Sequence, residues 1–237
     1  MRTALLLVLT LMVPHAVPLG GQQPGPAALR WPTVGAVTGA VLVAALFDAP
    51  IARRIDESPS EGRLGTARQL KRFGEAPAML GIGGGLALAG WVGRRPALVR
   101  LGGQTAAALL LETAVVQASK ELVGRARPYQ DPDLDALDFS PFSKQTAFPS
   151  GHTAAAFAMA TTLGDATGST WARAGLYTLA TGTAWARMAE EKHWLSDVVA
   201  GAAVGILSAR VANGRTKVLG LQAPRLLRGG VGWQVSF

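Results

Sequence analysis

The sequence predicts an all-α fold: a bundle of about six apolar helices, transmembrane, with a short β-hairpin at its tail. Three observations predict it. Segments rich in Ala, Leu, Val and Gly recur along the chain, separated by stretches dense in Pro, Asp and Arg. Hydrophobic residues make up 49% of the 237, and the mean hydropathy of +0.26 lies between that of a soluble globule and a polytopic membrane protein. Two clusters of basic residues fall on the same side if the apolar segments all span, as the positive-inside rule expects.

Met1-Arg2 precedes an apolar run from Ala4 to Val13, then Pro14, small residues and Gly20-Gly21. This order of charged, apolar and small-residue regions reads as an export signal or an uncleaved N-terminal anchor over residues 1–21. The first helix is expected from about Trp31 to Phe47, without a charge. A polar, amphipathic stretch from Asp48 to Glu75 follows, carrying Arg53, Arg54, Arg63, Arg68, Lys71 and Arg72, and is expected to lie along the membrane and recruit anionic lipid. The second helix is Ala76 to Gly93, where Gly81 and Gly85 have the spacing that lets helices approach closely. The third runs from Leu101 to Ser119, and a non-helical loop from Gly124 to Pro149 follows it. The fourth helix begins near His152 and ends by Gly164, the fifth spans Trp171 to Arg187, and the sixth spans Trp194 to Ala212 with Gly201 and Gly205 again at small-residue spacing. The basic clusters are Arg94, Arg95 and Arg100, and Arg210, Arg215 and Lys217. Residues 31–213 thus form the helical domain and 214–237 a tail, in which Val231, Trp233, Val235 and Phe237 alternate with polar or small residues and suggest a strand pairing with Lys217 to Gln222.

The chain has no cysteine, which excludes disulfides, thiolate nucleophiles and Cys-ligated zinc. A formal charge of +8 suits an anionic partner. The basic residues are scattered between apolar stretches and form no stripe, so nucleic acid is not the expected one.

Histidine usage is the first chemical clue. Of three histidines, His15 lies in the signal-like segment, while His152 and His193 each sit in a short polar motif at the start of an apolar helix. His193 and Asp197 are four apart, one helical turn, so the carboxylate can accept one imidazole N–H and leave the other nitrogen free to attack. Arg187, six residues before His193, offers a planar fork that suits phosphate oxygens. In Pro149-Ser150-Gly151-His152 a loop leads into a helix N-terminus, where unpaired N–H groups, a hydroxyl and a glycine make an anion site, with His152 placed to protonate a leaving oxygen. An ordinary N-cap role for Ser150 is compatible with that reading. Lys120, Arg125 and Arg127-Pro128 place cations at the end of the third helix.

These three clusters, Lys120 to Pro128, Pro149 to His152 and Arg187 to Asp197, resemble the three-part signature of the type 2 phosphatidic acid phosphatase (PAP2) family, related to the vanadium haloperoxidases. The resemblance covers roughly Leu101 to Ala212, with Ala186 where the family often has Ser. It implies a phosphatase with a phosphohistidine on His193, oriented by Asp197. Lys120, Arg127, Arg187, Ser150 and Gly151 would hold the phosphate, and His152 would act as acid and then base, with no metal and no cofactor. A phosphorylated lipid and the membrane are the expected partners. The expected location is the bacterial inner membrane with the site facing the periplasm. A soluble periplasmic acid phosphatase, a haloperoxidase and a catalytically silent membrane structural or transport protein are the alternatives.

Glu112, an acid inside the third helix, is a further functional candidate. Asp131, Asp133, Asp135 and Asp138 lack the turn glycine and closing glutamate of a calcium loop and read as a solvated loop, and Glu190, Glu191 and Lys192 read as exposed loop charges.

Overall fold

The computed structural model describes residues 27–218 and the backbone of 225–227 and 230–232. In chain order these form β1 (Ala27–Ala28), α1 (Trp31–Ala45), α2 (Asp48–Asp56), α3 (Glu61–Leu70), a 3-10 turn (Lys71–Gly74), α4 (Ala76–Val92), α5 (Pro96–Val123), α6 (Gly151–Thr167), α7 (Thr170–Ala189), α8 (Leu195–Ala212), β2 (Thr216–Lys217), β3 (Arg225–Leu227) and β4 (Gly230–Gly232). The all-α expectation holds, and the six apolar segments are α1 and α4 to α8. The third is longer than expected. Pro96 opens α5 at a position where a missing N–H is harmless, and Gly124 closes it in the left-handed conformation, φ 57°. Arg100, Glu112 and Lys120 interrupt the hydropathy of that segment without interrupting its helix.

α6 is the centre of the bundle, packed against α5, α7 and α8. Its residues from Thr153 to Thr162 are buried on every side, which small Ala and Thr side chains permit. α6 and α8 lie side by side at a distance that only glycine allows. A Cβ on Gly201 would sit 2.5 Å from the Ser150 carbonyl oxygen, and one on Gly205 would overlap the Ala154 carbonyl. The close approach expected at Gly81 and Gly85 does not occur, since both face open space. α4 instead meets α5 through Gly83 and Gly102, where a Cβ on Gly102 would lie 2.6 Å from the Gly83 carbonyl oxygen. A helix that is apolar all round carries no sign of which small residues face its neighbour. Phe157 and Tyr177 pack edge to face across α6 and α7 at 5.8 Å, and the Tyr177 hydroxyl is 2.8 Å from that of Thr161.

The amphipathic stretch is anchored to the bundle as well as facing outward. α3 packs on α7, and Asp48 at the start of α2 is fully buried against α8. Arg53, Arg54, Arg68 and Arg72 remain exposed on the outer side.

The two ends of the bundle differ in chemistry. At one end lie the start of α1, the α4–α5 turn, the α6–α7 turn and the end of α8. Trp31, Trp91 and Trp171 stand 75–88% exposed there, with Arg30, Arg94, Arg95 and Arg100 also exposed. Between the ends, Leu42 and Val43 of α1 with Leu46 just beyond it, Leu80 and Leu88 of α4, and Leu110, Val115 and Leu122 of α5 face outward uncovered. Among the described helices α8 alone is long and apolar enough to cross a membrane, and most of it is enclosed by its neighbours; α1 and α2 pass the same test together across a 43° bend.

β1 pairs with β2 in parallel, joining Ala28 to Lys217. The expected tail hairpin exists as β3 and β4, antiparallel, but its first strand is Arg225–Leu227 and not Lys217 to Gln222. The signal-like segment 1–21 and the alternating residues Trp233 to Phe237 lie outside the described residues.

Candidate active site

All three motifs gather at the end of the bundle opposite the tryptophans, beyond the apolar belt. A cis Phe148–Pro149 peptide leads into α6. Ser150 holds the N-cap position, yet its hydroxyl makes no capping bond. It accepts from the Thr153 hydroxyl at 2.9 Å, which leaves its own proton to donate. The first intrahelical bond runs from Ala154 N–H to the Ser150 carbonyl, so the N–H groups of Gly151 and His152 precede the helical ladder and are available to an anion. Lys120 closes this terminus from α5: a Cβ on Gly151 would lie 3.9 Å from its Nζ.

His193 sits between α7 and α8 and is buried. Its Nδ1 lies 2.7 Å from the Ala147 carbonyl oxygen. A carbonyl can only accept, so Nδ1 carries the proton and Nε2 presents a lone pair. Asp197, the expected orienting group, stands 3.6 Å from Nδ1, beyond hydrogen-bond length, and acts on the ring through its charge. Its carboxylate accepts instead from the Trp194 N–H at 2.8 Å and from Arg125 at 2.6 Å. Burial holds the imidazole below the usual histidine range, Arg187 and Arg127 push the same way, and Asp197 opposes them. A backbone bond from Ser150 N–H to the Asp197 carbonyl, 3.0 Å, ties the second motif to the third.

Arg187, in the last turn of α7, is buried and paired with Glu190, while its Nε has no partner. A buried guanidinium N–H without an acceptor is costly, and an anion would satisfy it. Glu190 also holds Lys71 of the 3-10 turn at 3.1 Å. This corrects the expectation of an exposed charge: Glu190 joins two cations that a sequence reading places far apart. Burial, with Arg187, His193, Lys71 and Lys120 around it, lowers His152 to about 4. Arg127 is half-buried, with one guanidinium nitrogen 3.0 Å from the Thr146 hydroxyl.

Sequence reasoning missed Asp48, Lys71, Glu190 and the Ala147 carbonyl. The first three carry no motif spacing, and the last is backbone. Glu112 is buried two turns below Lys120, with one oxygen accepting from Thr113 and the other without a partner. The Asp131 carboxylate is spent on the N–H groups of Asp133 and Asp135, and no group of His, Asp and Glu able to hold a metal occurs among the described residues.

Fold and site together define an all-α bundle that converges two histidines and several cations on a helix N-terminus at one end. Residues 102–216, which hold all three motifs, match the model of the PAP2 superfamily. The chain is 37% identical to the Lipid A 1-phosphatase of Porphyromonas gingivalis over 120 residues, half of this chain and 24% of that protein. The chain therefore matches about a quarter of that relative's length. Its fold is similar to the crystal structure of LpxE from Aquifex aeolicus, with a TM-score of 0.54 at 22% identity, covering 70% of this chain and 94% of the other.

Proposed function

We propose that this protein hydrolyses a phosphate ester or diphosphate on a lipid, through a phosphohistidine on His193. The observation that carries this reading is the convergence of a lone-pair-bearing His193 Nε2, the free α6 terminus, Lys120, Arg127 and the unsatisfied Arg187 Nε at one place. Phosphoryl transfer asks mainly for positioning and charge stabilisation, which this set supplies without a metal or cofactor. His193 Nε2 attacks phosphorus as the bond to the leaving oxygen breaks. His152 delivers the proton to that oxygen. It then takes a proton from the water that cleaves the N–P bond, restoring both imidazoles. His152 starts neutral because burial, and then the surrounding cations, disfavour its charged form, and a bound phosphate dianion favours its protonation.

The lipid substrate is supported by the uncovered apolar belt on α1, α4 and α5 and by an apolar rim beside the site. Leu137 and Phe142 are 73% and 76% exposed there. The name of the Porphyromonas gingivalis relative points to a phosphorylated glycolipid. Phosphatidic acid, phosphatidylglycerol phosphate and polyprenyl diphosphates are the other members of the class. A basic, tryptophan-bearing end is what the positive-inside rule expects of a cytoplasmic face, and this supports a site that faces the periplasm from the inner membrane. The test is to quench turnover of a phosphate-labelled lipid and look for an acid-labile, base-stable phosphoprotein. His193→Ala should abolish both label and turnover; retention of either refutes the reading.

A further inference from the structure

Arg125 stands two residues before Arg127, yet it cannot serve the phosphate, because every N–H of its guanidinium is already used. Nε donates to the Ala136 carbonyl at 3.0 Å, and NH2 donates to the same carbonyl at 2.6 Å and to Asp48 at 2.7 Å. NH1 donates to the Ser196 hydroxyl at 2.7 Å and to Asp197 at 2.6 Å. The rings of Phe139 and Trp194 each stand 5.3 Å from the guanidinium carbon. Asp48 completes the group: one oxygen accepts from Ser196 N–H at 2.8 Å, and the other from Arg125 and, at 2.5 Å, from the Ser196 hydroxyl. Each of those partners is a donor, so Asp48 acts as an ionised acceptor. All four side chains are buried.

Two carboxylates therefore share one cation next to the histidine. A single Asp197 bonded to Arg125 would be neutralised as a pair and would offer little to an imidazole that must become cationic. With Asp48 the group keeps one net negative charge. We infer that Asp48 and Arg125 are positioning residues for the histidine step: Arg125 fixes Asp197 beside His193, and Asp48 restores the charge that Arg125 removes. This rests on the reading of His193 as nucleophile. The other charges facing His193 are Arg187, Arg127 and His152, and none of them is altered in the test.

The test compares Asp48→Asn, Arg125→Gln and their double variant with the full-length wild type. Turnover is normalised to phosphoenzyme burst, and kcat and KM are followed against pH. Asp48→Asn should lower kcat by about 10- to 100-fold, the range for partners that orient an active-site imidazole, with KM little changed. Removing its negative charge should move the acid limb down by roughly one pH unit, and Arg125→Gln should move it up by a similar amount. The double variant has the wild-type net charge, so its acid limb should return towards the wild-type position while kcat stays low. It leaves one buried carboxylate, Asp197, without Arg125, where Arg125→Gln alone leaves two, so it carries the test if Arg125→Gln does not fold. Limbs that stay in place or move the same way overturn the inference, as does a double variant with wild-type kcat. His193→Ala separates the two ideas. If it still forms phosphoenzyme, the nucleophile reading fails; if it is inert while the limbs stay fixed, only the clamp fails.

Discussion

Replacing Gly201 with Ala tests how tightly the phosphate terminus is held. In α8 the added methyl would lie 2.5 Å from the Ser150 carbonyl oxygen and 3.3 Å from both the Ser150 carbonyl carbon and the Thr153 Cβ. The first of these atoms is backbone and cannot swing aside, so the start of α6 must retreat by about 1 Å to reach ordinary van der Waals contact. Overpacking of this kind costs about 1–3 kcal/mol, partly offset by the roughly 1 kcal/mol that Ala gains over Gly inside a helix. The net cost is then at most about 2 kcal/mol, and the melting temperature should fall by no more than about 8 °C. Activity should suffer far more, because Ser150, Gly151 and His152 move together, and a displacement of about 1 Å can cost roughly 100-fold in rate. Gly65→Ala is the matched control: it lies in α3 with nothing within 4 Å of the new methyl, and should keep full activity with equal or greater stability. Thermal melts and hydrolysis rates on both variants give the answer. A Gly201→Ala enzyme with wild-type kcat would refute the idea that the α6–α8 spacing sets the site.

Three further outcomes are expected. His152→Ala should lose most activity on an alkyl phosphate and much less on a nitrophenyl ester, whose leaving group needs no proton; equal losses on both would remove His152 from the acid role. Both active-site histidines titrate below 6.5 when folded, so the unfolded chain binds more protons than the folded one as pH falls past that value. The histidines' contribution to stability should be constant above pH 6.5 and decline below it, by roughly 1.4 kcal/mol per pH unit for each histidine until its folded pKa is reached; denaturant melts between pH 4 and 8 in which the wild type and a His152→Gln, His193→Gln variant keep a constant difference in stability would contradict the burial of these rings. Leu137→Ser with Phe142→Ser should reduce hydrolysis of vesicle-borne substrate by at least about 10-fold while sparing a soluble ester, since even partial burial of such side chains in lipid forfeits a share of the roughly 1.5–3 kcal/mol that full burial of each supplies; parallel losses would place those residues in the chemistry instead.

The candidate site was legible because His152, His193, Arg187 and Lys120 sit at fixed offsets from Pro, Ser, Gly and Asp, and a helix turns those offsets into geometry. The helices were legible from their hydropathy, but their contacts were not. Gly201 and Gly205 face a neighbour and Gly81 and Gly85 do not, although the spacing is identical. The partners of Asp197 were hidden for another reason. Arg125 lies 72 residues away and Asp48 meets Ser196 across 148, so only the folded chain brings them together. Ala147 was out of reach altogether, because its contribution is a carbonyl and any residue type would supply one.

In the proposed membrane setting, the exposed indoles of Trp31, Trp91 and Trp171 would fix the height at which the molecule rides. Side chains of this kind settle at the boundary between head groups and acyl tails, and α4, with 17 residues, sets the catalytic mouth about 25 Å above them. On the proposed membrane reading the phosphate pocket stands at the opposite boundary, level with the head groups of the far leaflet. Selection among phosphorylated molecules would then begin with altitude, before any pocket shape is consulted: a target tethered by tails would be presented there continuously, and one dissolved in water would arrive only by chance.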